Sequence, residues 1–356
     1  MSAPRLEIDL KKIHHNARTL VERLAVHGIS VTGITKATLG SPEVAKTLLE
    51  AGVSTLGDSR IKNIERMRNA GVSAPITLIR SPMLSQIEQV VIRADISFNT
   101  ELDVINALSS AAQKMGRTHG IVLMVELGDL REGIMPEDVE SIVRKTLELP
   151  HIEFKGIGTN LACRSGVSPD AKNMGELSAL ADSVDKTFNL TMDIISGGNS
   201  GNLEWALNGD MSGAGIGRIN NLRLGESILL ALDPLNREPI DGLHTDAITL
   251  IAEVIESKVK PSQPWGDIAQ TAFGTPSPIT DQGDISQVML ALGEQDTDPE
   301  GLTPPPDIEI LGASSDHLIL NTGDNRPSIG DEIELQLNYS ALVRAMTSPF
   351  VDRVIT

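Results

Sequence analysis

The run Val31-Thr32-Gly33-Ile34-Thr35-Lys36-Ala37 brings an apolar, β-branched stretch to an end on a lysine. Such a stretch reads as a short strand covered on both faces. The lysine has an ordinary reading, as a snorkelling or solvated end residue. It also has a chemical one: at the C-terminal mouth of a parallel barrel, an amine can add to a carbonyl and form a Schiff base. Ser41 and Pro42 suit the cap and the first residue of a following helix. The loop between, Ala37-Thr38-Leu39-Gly40, has one glycine, so any phosphate must be held by other loops.

Three later stretches could supply the rest of a site. In Gly128-Asp129-Leu130-Arg131-Glu132-Gly133, Arg131 could hold a carboxylate or phenolate with a forked pair of hydrogen bonds, or the stretch is a solvated turn. In Ser196-Gly197-Gly198-Asn199-Ser200-Gly201-Asn202, three glycines let the backbone approach an anion, and Ser200 adds a hydroxyl at a helix start. The plain alternative is a glycine-rich turn with a serine cap. Arg223-Leu224-Gly225-Glu226 offers a charge and two more backbone N–H groups, or is again a solvated turn.

These residues need strands to present them. Leu6 to Leu10 alternates apolar and polar residues, as a strand does. A helix follows with Ile13, Ala17, Leu20 and Leu24 on one face. From the Lys36 strand onward, strands and helices alternate. The strands read as Val53–Gly57, Pro75–Ile79, Ala94–Phe98, Gly120–Leu127, Phe154–Asn160, Thr191–Ser196 and Gly213–Gly217. Helices over Ile61–Ala70, Glu101–Lys114, Pro136–Leu149 and Asn173–Phe188 stand between them. With the Lys36 strand, this gives eight parallel units and predicts an α/β fold, a closed (β/α)8 TIM-type barrel rather than an open sheet. After Leu232 the character changes. Asp233 to Pro239 is a linker by composition, and Ala247–Val254, Val288–Leu292, His317–Leu320 and Glu332–Leu337 read as strands of a smaller all-β domain. The expected domains are a barrel over 11–232 and a β domain over 233–356, with the strand in 1–10 joining the latter.

Composition narrows the function classes. The net charge of -18 argues against a nucleic-acid partner, which requires a basic face. Cys163 is the single cysteine, which excludes an intrachain disulfide and a multi-cysteine zinc site. The histidines show no H-x-x-x-H spacing, and no metal site is expected. The first residues lack a signal-peptide core, and no apolar run approaches the ~18 residues of a membrane span. The expectation is a soluble, cytoplasmic protein with no membrane partner.

Lys36, Gly128 to Ile134, Ser196 to Ser200, Arg223 to Glu226 and Asn338-Tyr339 follow one another in a definite order and spacing. Together they resemble the alanine racemase family of pyridoxal 5'-phosphate enzymes, over nearly the whole chain. Gly57-Asp58-Ser59-Arg60-Ile61, Ala291-Leu292-Gly293 and Ala345 to Pro349 bring the chain closest to the ornithine racemase branch. The resemblance implies an amino-acid racemase acting on ornithine or a similar basic amino acid, as a homodimer whose active sites are shared between subunits.

It also implies roles. Lys36 would carry the cofactor and move the Cα proton. Arg131 would contact the cofactor phenolate and the substrate carboxylate. Asn160 falls where better-known relatives place a histidine against the pyridine ring. Asn199 and Ser200, the N–H groups of Gly225 and Glu226, and Tyr339 would bind the phosphate and its surroundings. Arg223, always charged, would face the pyridine nitrogen and oppose its protonation. One departure stands out. The family's second base is a tyrosine of the partner's β domain, whereas Tyr339 is this chain's only tyrosine and the matching stretch, Gly266 to Gly274, has none. The second proton donor is then Lys36 itself, a polar residue such as Ser315 or Asp316, or water; Asp316 could equally bind a substrate ammonium. Alternatives in function are an alanine or broad-specificity racemase and a non-catalytic pyridoxal-phosphate carrier, although carriers lack a β domain. A related decarboxylase is disfavoured because its cysteine motif near the C-terminus is missing.

Overall fold

The computed structural model describes residues 3–208, 215–273 and 280–356. The chain divides into two compact units. One runs from Lys11 to His244; the other joins the residues up to Leu10 with Thr245–Thr356.

The first strand, β1 (Arg5–Ile8), belongs to the second unit. The Lys11–His244 unit is built on β2 (Ser30–Ile34), β3 (Thr55–Asp58), β4 (Ile76–Leu78), β5 (Ile96–Asn99), β6 (His119–Val125), β7 (Ile152–Thr159), β8 (Ile194–Asn199) and β9 (Asn221–Leu224). These eight pair in sequence order, all parallel, and β9 returns to β2 to close the barrel. β6 is buried at all seven positions, as its apolar run requires. Phe98, Val122 and Met124 pack together inside. Helices cover the outside by burying one stripe each. Leu10–Ala25 buries Ile13, Ala17, Leu20 and Leu24, at helical spacing, and Pro42–Glu50 starts on Ser41, whose hydroxyl accepts from Val44 N at 3.3 Å.

The closing strand differs from the sequence reading. Of Gly213–Gly217, residues 213 and 214 lie outside the described residues, and Gly215–Gly217 form no strand. The barrel closes instead on Asn221–Leu224. All four residues are buried, including the polar Asn221 and Arg223. Asn221 bonds Ser196 Oγ at 2.8 Å and Thr32 Oγ1 at 3.0 Å. A strand whose inward residues are polar and mutually bonded does not announce itself by hydropathy. Arg223 therefore sits on a strand, not in a solvated turn. Asp233 to Pro239, a linker by composition, is a closed loop of the barrel unit, with Asp233 N donating to Glu238 O at 2.9 Å and Arg237 N to Asp233 O at 2.8 Å.

The other unit adds β10 (Ile248–Pro261), β11 (Asp284–Leu290), β12 (Leu302–Thr303), β13 (Glu309–Ala313), β14 (Leu318–Asn321), β15 (Glu332–Leu337) and β16 (Asp352–Ile355). Its sheet runs β12-β15-β10-β11-β14-β13 with antiparallel neighbours. β1 joins it, antiparallel to β10 and parallel to β16. β15 alternates exposed and buried residues, with one face on the core.

Candidate active site

Lys36 leads the tight turn Lys36–Thr38 directly after β2. The turn is fixed by the residue before it. Thr35 N donates to Gly57 O at 2.9 Å, and Thr35 Oγ1 to Asp58 Oδ2 at 2.8 Å, both at the end of the neighbouring β3. Lys36 is half-buried, and burial pushes its amine below the ordinary lysine range. Cys163 and Asp58 oppose that shift, while Arg131 and Arg223 add to it. The lowered amine is neutral, and so nucleophilic, over a wider pH range than an exposed lysine.

Arg223 lies on β9 and is almost wholly buried. Its guanidinium donates to Ser196 Oγ at 2.7 Å and to Thr159 O at 2.8 Å, and lies 5.2 Å from the centre of the Phe98 ring. Burial lowers its pKa to about 10, with Arg131 adding to the shift, so it remains charged at neutral pH. Asn160 follows β7 and lies between the two arginines. In one amide orientation its oxygen accepts from Arg223 at 3.3 Å and from Asn199 Nδ2 at 3.1 Å; in the other it accepts from Arg131 at 3.2 Å. Arg131 occupies the loop after β6. Burial works against its charge, but its fork is filled by Glu132, which outweighs burial and raises its pKa. The fork that the sequence reading assigns to a ligand carboxylate thus already holds one.

Ser200 ties the loop after β8 to the loop after β9. It follows β8, and its oxygen accepts from Gly225 N at 3.2 Å, Ser227 N at 3.2 Å and Ser227 Oγ at 3.0 Å. Backbone and hydroxyl donors from the loop after β9 thus converge on one point. Gly198 makes the turn possible: it has φ +148°, and a Cβ there would lie 2.0 Å from Asn202 Oδ1. Asn199 locks the loop by accepting from Gly201 N at 2.8 Å and donating to Leu161 O at 2.8 Å. The N–H that joins Gly225 here is that of Ser227, a residue missed in the sequence; Glu226 instead points its carboxylate to Arg237 at 2.8 Å. Burial raises the Glu226 pKa, with Arg237 and Lys36 opposing.

Sequence reasoning also missed roles for Asp58, Ser196 and Cys163. Asp58 stands in a quoted motif, so its signal was present without a function. Cys163 lies on the loop after β7, its Sγ 3.3 Å from Asn199 Nδ2.

Ser315, Asp316 and Tyr339 belong to the β unit. Ser315 and Asp316 lie in the turn between β13 and β14, where Ser315 O accepts from Gln295 N at 2.9 Å. The Asp316 carboxylate is exposed, accepts from His317 Nδ1 at 2.9 Å, and lines a cavity of about 430 Å³ with Gln295, Asp296 and Phe350. Tyr339 is the first residue of the helix Tyr339–Thr347, capped by Asn338. Among the described residues no group of three or more metal-binding side chains occurs, and no helix is long and apolar enough to cross a membrane.

Comparison with known proteins gives this arrangement a context. Residues 8–227 match the family described as alanine racemase, N-terminal domain. The lysine racemase of Thermotoga maritima is 38% identical over 99% of this chain and 99% of its own length. The ornithine racemase of Acetoanaerobium sticklandii is 38% identical over 98% of this chain and 99% of its own. Among solved structures, the alanine racemase of Streptomyces coelicolor A3(2) superposes with a TM-score of 0.78 at 18% identity, covering 99% of this chain and 97% of that one, a likeness of fold. On sequence over its full length and on fold, the chain belongs to the alanine racemase family.

Proposed function

We propose that this protein is a pyridoxal 5'-phosphate-dependent racemase that interconverts the L and D forms of a basic amino acid, ornithine or lysine. The observation that carries the reading is the joint presence, at the C-terminal ends of one parallel barrel, of a half-buried lysine with a lowered pKa and a cluster of backbone and hydroxyl donors gathered on Ser200. Relatives named lysine racemase and ornithine racemase, similar over the full chain, support the substrate class.

The residues fit the cofactor. The donors that meet at Ser200 suit a phosphate, Lys36 suits a carbonyl, and the buried cation of Arg223 suits a ring nitrogen that stays unprotonated. When bound, pyridoxal phosphate withdraws electrons from the substrate Cα and acidifies its proton. Lys36 Nζ would then hold and return that proton. Arg131, shared with Glu132, would orient the substrate carboxylate. Asn160 and Asn199 would keep Arg223, Arg131 and the Ser200 loop in register. Ser200 with the N–H groups of Gly225 and Ser227 would bind the phosphate, and Glu226 would anchor Arg237 beside it. For Tyr339, a phosphate contact is proposed from the resemblance alone, as are substrate contacts for Ser315 and Asp316.

The proposed assembly is a homodimer with shared active sites. A monomer that is fully active, by sedimentation and assay at one concentration, would rule it out. The substrate is tested by incubating L-amino acids one at a time and measuring the D product by chiral chromatography. Ornithine and lysine should rank first; equal turnover of alanine would replace the basic-substrate reading with a broad one.

A further inference from the structure

Asp58 is a buried carboxylate with no part in the mechanism above. It ends β3, is fully buried, and accepts from Thr35 Oγ1 at 2.8 Å, Arg60 N at 2.8 Å and Asn63 Nδ2 at 3.0 Å. All three donors are neutral. Burying a charge on neutral donors is costly, but an amide offers one acceptor oxygen and an apolar side chain none, so either would leave buried donors unpaired. The carboxylate takes all three bonds with its two oxygens.

What it faces is the Lys36 turn. Thr35 immediately precedes Lys36, and its backbone carries the turn: Thr38 N and Gly40 N both donate to Thr35 O, at 3.1 and 3.0 Å. Gly40 in turn packs on Asn63, where a Cβ would come within 2.7 Å of the Asn63 Cβ. Asp58 thus joins both sides of one clamp, Thr35 on the lysine turn and Asn63 on the helix Ile61–Asn69 beneath it. The titratable and charged groups around the lysine are Asp58 at the end of β3, Arg131 after β6, Cys163 after β7, Arg223 on β9 and Glu226 after β9. Two of them are guanidinium groups.

We propose that Asp58 is the positioning residue of Lys36: it clamps the lysine turn through Thr35, and its charge offsets the two guanidinium groups across the barrel mouth. The role rests on the proposed function of Lys36 as proton carrier, because an amine driven too low would not hold the proton it must return. Burial raises the Asp58 pKa, with its hydrogen-bond donors opposing the rise, and the electrostatic part of the role belongs to the ionised form.

The test measures Lys36 directly. The ligand-free, full-length chain is acetylated with acetic anhydride across a pH series, and modification of Lys36 is read by peptide mass. In Asp58→Asn, the midpoint of Lys36 reactivity should fall by about one pH unit. An unchanged midpoint in the folded variant overturns the electrostatic role. Thr35→Val keeps the carboxylate and removes the hydroxyl tie. Its uptake of pyridoxal phosphate on Lys36, trapped with borohydride, should fall several-fold, and Thr35→Ser should restore it. Wild-type uptake by Thr35→Val overturns the clamp, and this pair decides the matter if Asp58→Asn does not fold. Absence of any pyridoxal label on wild-type Lys36 would sink the proposed function instead, and the acetylation midpoints would still judge Asp58.

Discussion

Replacing Ser200 with alanine separates the anion site from the rest of the barrel. Ser200 Oγ is the shared acceptor for two backbone N–H groups and one hydroxyl. Removing it has two effects. Without ligand, the Gly225 and Ser227 donors lose their acceptor in a site where Ser200 is almost fully buried, and an unsatisfied buried polar group costs about 1–3 kcal/mol. With pyridoxal phosphate, the lost hydroxyl is one hydrogen bond to a charged group, worth about 2 kcal/mol, or roughly 30-fold in Kd. By linkage the two losses add: at saturating ligand the weaker binding stabilises the variant by about 2 kcal/mol less than wild type, so the stability gap should widen with ligand. Absorbance titration of pyridoxal phosphate gives the Kd, and urea unfolding with and without ligand gives the stability. A folded Ser200→Ala protein that binds the cofactor as tightly as wild type would refute the assignment of this cluster to phosphate.

Three further outcomes are expected. Borohydride reduction of the pyridoxal-phosphate-loaded protein should leave the label on Lys36 in peptide mapping, and label on another lysine would end the cofactor reading. His119 is buried and its pKa is lowered by burial to about 4 from 6.5, so the unfolded chain binds the proton first and stability is lost as pH falls through that window. The loss amounts to about 3 kcal/mol, and His119→Gln should flatten the pH dependence of urea unfolding by that amount; an unchanged slope would contradict it. Asp316→Asn should raise KM for ornithine or lysine while kcat holds; loss of Cα-proton exchange from one enantiomer alone would make Asp316 a proton donor instead.

The barrel was legible because its elements follow simple periodicities. Ile13, Ala17, Leu20 and Leu24 mark one helix face, and the β6 run has no interruption. Once the strands are parallel, their C-terminal ends share one face, so Lys36, Ser200 and Gly225 could be grouped from the sequence alone. β9 failed for the converse reason: Asn221 and Arg223 point polar groups inward and satisfy them on Thr32, Ser196 and Thr159, all distant in sequence. β13 and β16, with no fully buried position, also carry little apolar signal. Ser227 and Asp58 were unreadable as functional residues because their meaning depends on which loops adjoin. Glu132 shows the limit in another way. The sequence displays an arginine suited to a carboxylate, and only the fold reveals that its neighbour already fills the fork.

The pairing of charges at the mouth has a direction. Arg131 is matched by Glu132, and Arg237 by Glu226. Arg223 is different: its acceptors are a hydroxyl, a backbone carbonyl and an amide, and it lies by the face of Phe98. A guanidinium buried on neutral acceptors keeps its positive field undiminished by a partner, and with a pKa of about 10 it keeps its charge at neutral pH. A carboxylate in its place would favour a protonated ring nitrogen; this arginine would disfavour one. In the proposed reaction that choice would leave the electron sink weak and the carbanionic charge close to Cα, where the proton must return. The load on proton transfer then falls on Lys36, whose proton affinity is lowered first by burial and then by Arg131 and the same guanidinium, with Cys163 and Asp58 opposing. The residues that would restrain side chemistry are thus the ones that tune the base.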